Sequence, residues 1–218
     1  SWVDSASQAV VQLVGADKSA AVFLIDSGEP FAVTRALEDV RGDLFEITGQ
    51  MFRVSNTVPI KSLYPHLIIV GTVGTSSVLA ALESAGKIDL AALKGKRESF
   101  RLQTIRDPFP GCKGSLVIAG SDIRGTIYGL YSLTQDGLGV DPLRFWTERP
   151  VTKRQVLFLG PMFHEEGEPR IKYRGWFLND EDLLQGWHAN NDHKVAAELF
   201  EPILSSALRL RQNMIIPQ

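Results

Sequence analysis

The chain predicts an α/β fold, with α+β as the neighbouring possibility, on three observations. Short apolar runs bounded by turn residues recur around residues 20–25, 67–70 and 115–120, each the length of a buried strand. Between them, apolar residues recur at helical spacing. Over residues 171–218 the order becomes strand, loop, helix, strand, which is one βα unit and the opening of the next.

The elements follow in order. Ala20 to Ile25 is a strand, broken by Asp26-Ser27-Gly28-Glu29-Pro30. From Phe31 to Gly49 the positions Val33, Leu37, Val40, Leu44 and Ile47 share one helix face, and Gly49 caps the end. Leu67–Val70 is a second buried strand, followed by a glycine turn and a helix from about Ser76 to Ala85. Residues 99–105 alternate polar and apolar, which predicts a strand with one wet face. Ser115–Gly120 is another strand, and Asp122 caps a helix from Ile123 to about Asp136. Gly125 and Gly129 lie one turn apart on it and allow close approach to a sheet. Residues 138–154 read as a proline-bearing connector pinned by Phe145-Trp146, Gln155–Leu159 as one more strand, and Gly160–Arg170 as a polar loop. A new rhythm starts at Ile171: a strand over 171–179, an acidic loop, a helix over about 193–212 that Pro202 either kinks or opens for its longer half at Glu201, and an apolar end at Met214–Pro217.

Bulk properties remove several function classes. The 218 residues carry 23 basic and 25 acidic side chains, net −2. That balance leaves no electrostatic footprint for nucleic acid or an anionic membrane. No window approaches the 18 consecutive apolar residues of a spanning helix. The one cysteine, Cys112, permits no intrachain disulfide and has no CxxC partner. The chain starts at Ser1 without methionine, and a signal peptide already removed is the expectation.

The densest chemistry lies in Tyr173–Asp182, an apolar strand that runs into three adjacent acids. Adjacent carboxylates repel, and burial penalises each charge. Such a cluster is tolerated at a pocket mouth, where substrate or water supplies partners, or as a solvated turn. On a continued strand Asp180 and Asp182 would sit roughly 6–7 Å apart on one side. Inverting glycosidases separate their carboxyl groups by roughly 6.5–9.5 Å. Trp187 could stack on a sugar ring or plug the pocket rim. His188 and His193 are five apart, not at the spacing of a helical HxxxH pair, so no metal and no cofactor is expected. Gly71-Thr72-Val73-Gly74-Thr75 follows a strand and precedes a helix, but it lacks the lysine of a phosphate loop and the third glycine of a dinucleotide fingerprint.

Four stretches, in order, resemble glycoside hydrolase family 115, the xylan α-1,2-glucuronidases. They are Gly120–Tyr131 (GSDIRGTIYGLY), Asp141–Val151 (DPLRFWTERPV, nearer SPWYWWADVPV in the family), Lys172–Asp182 (KYRGWFLNDED, similar to KYRGIFINDED) and Leu208–Pro217 (LRLRQNMIIP, similar to LRLKANYLWPA). The resemblance implies an N-terminal mixed-sheet α/β domain over 1–150, like the small domain of β-hexosaminidases. It implies a connector over 151–170, and over 171–218 the first βα unit and second strand of a catalytic (β/α)₈ barrel. It implies inverting hydrolysis of (4-O-methyl)glucuronic acid from xylan, with glucuronoxylan or its oligosaccharides as partner and secretion as location. A homodimer would form through domains outside this chain. Residue by residue it gives a catalytic role to Asp180 and substrate contacts to Asn179, Glu181, Asp182 and Trp187. The remaining pocket residues would come from later barrel strands, so this segment alone is expected to be inactive. Leu183-Leu184-Gln185-Gly186 and Met214-Ile215-Ile216 depart from the family pattern, which has a tryptophan and an aromatic there. Arg174 is a weak candidate for the glucuronate carboxylate. The alternatives are a non-catalytic scaffold or interaction domain docking a neighbouring barrel, and a nucleotide-binding domain resting on the Gly71–Thr75 loop.

Overall fold

The computed structural model describes residues 2–3, 6–57, 61–179, 183–184 and 197–217. They divide into two units: Ser1–Val140 with Val151–Pro169, and Asp141–Pro150 with Arg170–Gln218.

The first unit is built on a six-stranded sheet. In chain order its elements are β1 (Trp2–Val3), β2 (Val11–Val14), β3 (Val22–Ile25), α1 (Phe31–Thr48), β4 (Val54–Ser55), β5 (His66–Thr72), α2 (Ser77–Ser84), β6 (Phe100–Arg106), β7 (Gly114–Gly120) and α3 (Ile123–Leu138). After an excursion into the second unit, which contributes the short α4 (Arg144–Thr147), come β8 (Leu157–Leu159) and β9 (Phe163–Glu166). The sheet order is β4-β3-β5-β7-β6-β9. The first four strands are parallel, and β6 and β9 are antiparallel additions, so the sheet is mixed. A second sheet, β1-β8-β2, is antiparallel.

Strands β3, β5 and β7 are buried along nearly their whole length. That is why they read as unbroken apolar runs: a parallel sheet covered on both faces has no wet side. Leu24, Leu67, Ile69, Val117 and Ala119 pack with Val78, Leu79 and Leu82 of α2. The opposite face receives α1 and α3. The helix α1 buries the foreseen stripe Val33, Leu37, Val40, Leu44 and Ile47 together with Asp43. That buried carboxylate accepts a hydrogen bond from Thr134 Oγ1 at 2.9 Å, and Tyr131 Oη donates to Asp39 at 2.7 Å. Gly49 ends α1 at φ 72°, and Asp122 caps α3 through Gly125 N at 2.8 Å. A Cβ at Gly125 would meet Ser99 O at 2.2 Å, and one at Gly129 would meet Ile118 Cγ2 at 2.9 Å. These two positions let α3 lie directly on the sheet.

Three expectations change. The strand over 99–105 has no alternating wet face: β6 buries Phe100, Arg101 and Leu102 in succession, because β9 covers its outer edge. The polar loop over 160–170 contains β9, whose sequence FHEE has no strand periodicity of its own and takes its form by pairing with β6. Residues 151–170, read as a connector, thus supply strands to both sheets of the first unit, while 141–150 belong with the second.

The second unit contains β10 (Gly175–Leu178), α5 (Ala197–Arg209) and β11 (Met214–Pro217). The strands β10 and β11 pair in parallel, Gly175 opposite Met214 through Leu178 opposite Pro217. With α5 between them they form a β-α-β crossover. Pro202 lies inside α5 rather than at its start. Trp146 of α4 donates through Nε1 to Ser206 Oγ at 3.0 Å and meets Phe145 edge-on at 4.8 Å, so the aromatic pair fixes the 141–150 segment onto α5.

Candidate functional site

The foot of β10 is closely tied. Asn213 N and Met214 N donate to Arg174 O at 2.8 and 3.1 Å, and Arg174 N donates to Asn213 Oδ1 at 3.0 Å. Asn213 Nδ2 reaches Lys172 O at 2.7 Å. The Arg174 guanidinium donates to Arg211 O at 2.9 and 2.7 Å and to Ile171 O at 2.8 Å. Arg174 therefore joins the two strand feet. It sits five residues before Asn179, roughly 16 Å along an extended strand, and its cationic group is directed at backbone carbonyls.

Along β10 the exposure alternates: Gly175 and Phe177 are exposed, Trp176 and Leu178 half-buried. The apolar strand is thus only half-covered, as suits a strand with one hydrogen-bonded neighbour among the described residues. Asn179 follows directly and is exposed. It stands at the C-terminal end of a parallel strand, where loops of βα folds carry their chemistry. Asp180, Glu181, Asp182 and Trp187, with His188 and His193, lie outside the described residues. The structure thus places one of the five named site residues, Asn179, and supports its strand from below.

The glycine loop after β5 is not a phosphate cradle. Thr72 N and Oγ1 donate to the buried Glu29 carboxylate at 2.6 and 2.7 Å, and Thr75 N and Ser76 N close a turn on Thr72 O. Asp26 already occupies the N-terminus of α2, accepting from Ser77 N at 3.0 Å and from the Ser77 hydroxyl. Those bonds hold the Asp26 carboxyl below its ordinary range, the Ser77 hydroxyl contributing most. An incoming phosphate would find these N–H groups taken and a carboxylate in its place. Cys112 is buried, and burial pushes its thiol up, the reverse of an activated nucleophile.

Two further features of the first unit escaped the sequence. A cavity of about 380 Å³ is lined by Lys18, Arg53, Tyr64 and His66 among others. Burial holds the His66 imidazole below its ordinary value. Separately, Asp136, His164 and Glu166 each bring one donor atom within 4.8 Å of the others. This is the grouping among the described residues that could hold a metal, and it comes from α3 and β9, elements far apart in sequence.

Comparison with known proteins now bears on the second unit. A model of glycosyl hydrolase family 115 matches residues 166–218, which include all of β10, α5 and β11. A solved structure described as a family GH115 4-O-methyl-alpha-glucuronidase, BtGH115A, with specificity for decorated arabinogalactans, aligns at 30% identity and TM-score 0.74. The alignment covers 90% of this chain and 25% of that one. Over residues 166–218 the chain is thus similar to glycosyl hydrolase family 115. It spans about a quarter of the length of that relative. The structure of CpGH84D aligns over 100% of this chain and 35% of its own length, at 12% identity and TM-score 0.50, a likeness of fold alone. A mutant Streptomyces plicatus beta-hexosaminidase aligns more loosely, at 15% identity and TM-score 0.40 over 81% of this chain and 26% of its own. No curated protein matches the sequence significantly. The mixed-sheet α/β architecture agrees with the fold read from the sequence.

Proposed function

We propose that this chain is part of a family 115 enzyme and contributes the first βα unit of a glycosidase that removes (4-O-methyl)glucuronic acid from a plant polysaccharide. The observation that carries this is the β10-α5-β11 crossover, which coincides with the family match and has Asn179 at the C-terminal strand end, with the three acids next in sequence. In this reading β10 is a stave of a (β/α)₈ barrel completed by further strands of a longer polypeptide. Asp180 orients or activates the attacking water or contacts the uronic acid ring, with Asn179, Glu181, Asp182 and Trp187 as substrate contacts. Hydrolysis proceeds with inversion: one acid protonates the leaving oxygen while a base activates water on the opposite face. The substrate is α-1,2-linked glucuronic acid on xylan, and the enzyme acts outside the cell. Decorated arabinogalactan is the second reading for the polymer, because that is the specificity described for the 30% identical relative.

The test uses the full-length protein. Release of methylglucuronic acid from glucuronoxylan and from arabinogalactan is compared for wild type and Asp180→Ala, with the anomer of the first product read by NMR. The reading expects a loss of at least about 100-fold for the variant, the size a general acid–base group contributes, with α-linked substrate giving β-product. Unchanged turnover in a folded Asp180→Ala protein would remove that residue from the chemistry. A retained anomer would exclude inversion.

A further inference from the structure

The pair β6–β9 sorts its side chains to two faces. In antiparallel register Leu102 lies opposite His164 and Phe100 opposite Glu166, while Arg101 faces Glu165. Directly opposed residues share a face. Arg101 and Glu165 form their ion pair on one face, with Arg101 over the Phe163 ring at 4.7 Å. His164 and Glu166 are therefore on the other face, the one α3 covers. The Phe100–His164 ring contact at 6.0 Å and the approach of Gly129 to Phe100 bear this out. Asp136 comes down on the same face from the last turn of α3. There its charge is unfavourably placed against the negative end of the helix dipole, a position that favours a cation.

We propose that Asp136, His164 and Glu166 form a binding site for a divalent first-row transition ion of the zinc class. One imidazole nitrogen and two carboxylates are the mixed N/O donors such ions take, with bonds of about 2.0–2.2 Å. Donors around a tetrahedral ion of that bond length stand about 3.4 Å apart. His164 Nε2 and Glu166 Oε1 are already 3.5 Å apart, and all three donor atoms lie within 4.8 Å. Asp136 and His164 are exposed and Glu166 half-buried, so small side-chain rotations close the set without moving backbone. Asp136 is oriented by the Ser132 hydroxyl, which donates to Oδ2 at 2.6 Å, an outer-shell bond of the kind that fixes a ligating carboxylate. A cavity of about 230 Å³ adjoins the cluster, walled by Trp2, Leu102 and Met162, and leaves the fourth position to water or a ligand. Bound there, the ion would fasten the edge strand β9 to the end of α3.

The experiment titrates Zn²⁺ into chelator-treated, desalted protein by calorimetry and repeats it with Co²⁺, following visible absorption. The proposal expects one equivalent of Zn²⁺ per chain. His164→Ala and Asp136→Asn should each weaken it, by at least the roughly 10–100-fold that removal of an outer-shell partner costs a metal site. His188→Ala with His193→Ala should leave that equivalent in place. Both carboxylate and imidazole positions are at the surface, so circular dichroism of the variants should match wild type. No Zn²⁺ uptake, uptake indifferent to His164→Ala, or equal competition by Mg²⁺ or Ca²⁺ would each overturn the proposal.

Discussion

Gly175 opens the strand that carries the candidate site, and its lack of a side chain can be given a magnitude. A Cβ there would lie 1.8 Å from the Met214 carbonyl oxygen and 2.5 Å from its carbon, where ordinary contact begins at 3.4 Å. The obstacle is backbone of the paired strand, so no side-chain rotation relieves it. In Gly175→Ala a gap of about 1.6 Å (3.4 less 1.8) must open between β10 and β11 at their feet. The bonds Asn213 N to Arg174 O, Met214 N to Arg174 O and Arg174 N to Asn213 Oδ1 then stretch beyond bonding range. At about 0.5–1.5 kcal/mol net for each hydrogen bond, the loss is about 2–4 kcal/mol. Urea unfolding followed by tryptophan fluorescence reads this, since Trp176 sits on the same strand. With a slope of about 2 kcal/mol per molar, the midpoint for this unit should fall by about 1–2 M. A midpoint within about 0.3 M of wild type, at unchanged slope, would refute the reasoning, because it would mean the strands part without cost.

Other substitutions give opposite signs. Gly42 is exposed inside α1 and a Cβ there meets nothing, so Gly42→Ala should stabilise the first unit by about 0.5–1 kcal/mol in the same denaturation assay. Glu29 is buried, and burial raises its pKa above the ordinary 4.5, against the lowering effect of its Thr72 bonds. A raised folded-state value means that its stabilising contribution is complete below the unfolded value and is lost as pH climbs through the folded one. Glu29→Gln keeps an acceptor for Thr72 N and removes the titration. Its stability relative to wild type should therefore grow as pH rises from 4.5 towards neutrality, and a constant difference would contradict the assignment. Glu29→Ala leaves the Thr72 N–H unpaired and should cost about 1–3 kcal/mol by thermal or urea melts.

What the sequence determined by itself was whatever local spacing encodes. Buried parallel strands read as apolar runs, α1 showed its face at alternating steps of three and four, and Gly49 and Asp122 marked helix ends by backbone chemistry that needs no distant partner. The run of residues from Lys172 to Asp182 also carried the family resemblance, since motif order is linear information. Tertiary structure alone decided the rest. FHEE becomes a strand only because β6 offers an unpaired edge, and β6 loses its wet face for the same reason. The return of the chain at Arg211 and Asn213 gives the Arg174 guanidinium the Arg211 carbonyl and its backbone N–H the Asn213 side chain, partners that lie about forty residues away in sequence. Asp136, His164 and Glu166 meet through the packing of α3 over β6 and β9, and no spacing along the chain records which helix end will stand above which strand. Hydrogen-bond and metal-ligand geometry is satisfied in space, whereas periodicity is written residue by residue, and that difference sets which parts of this chain could be read in advance.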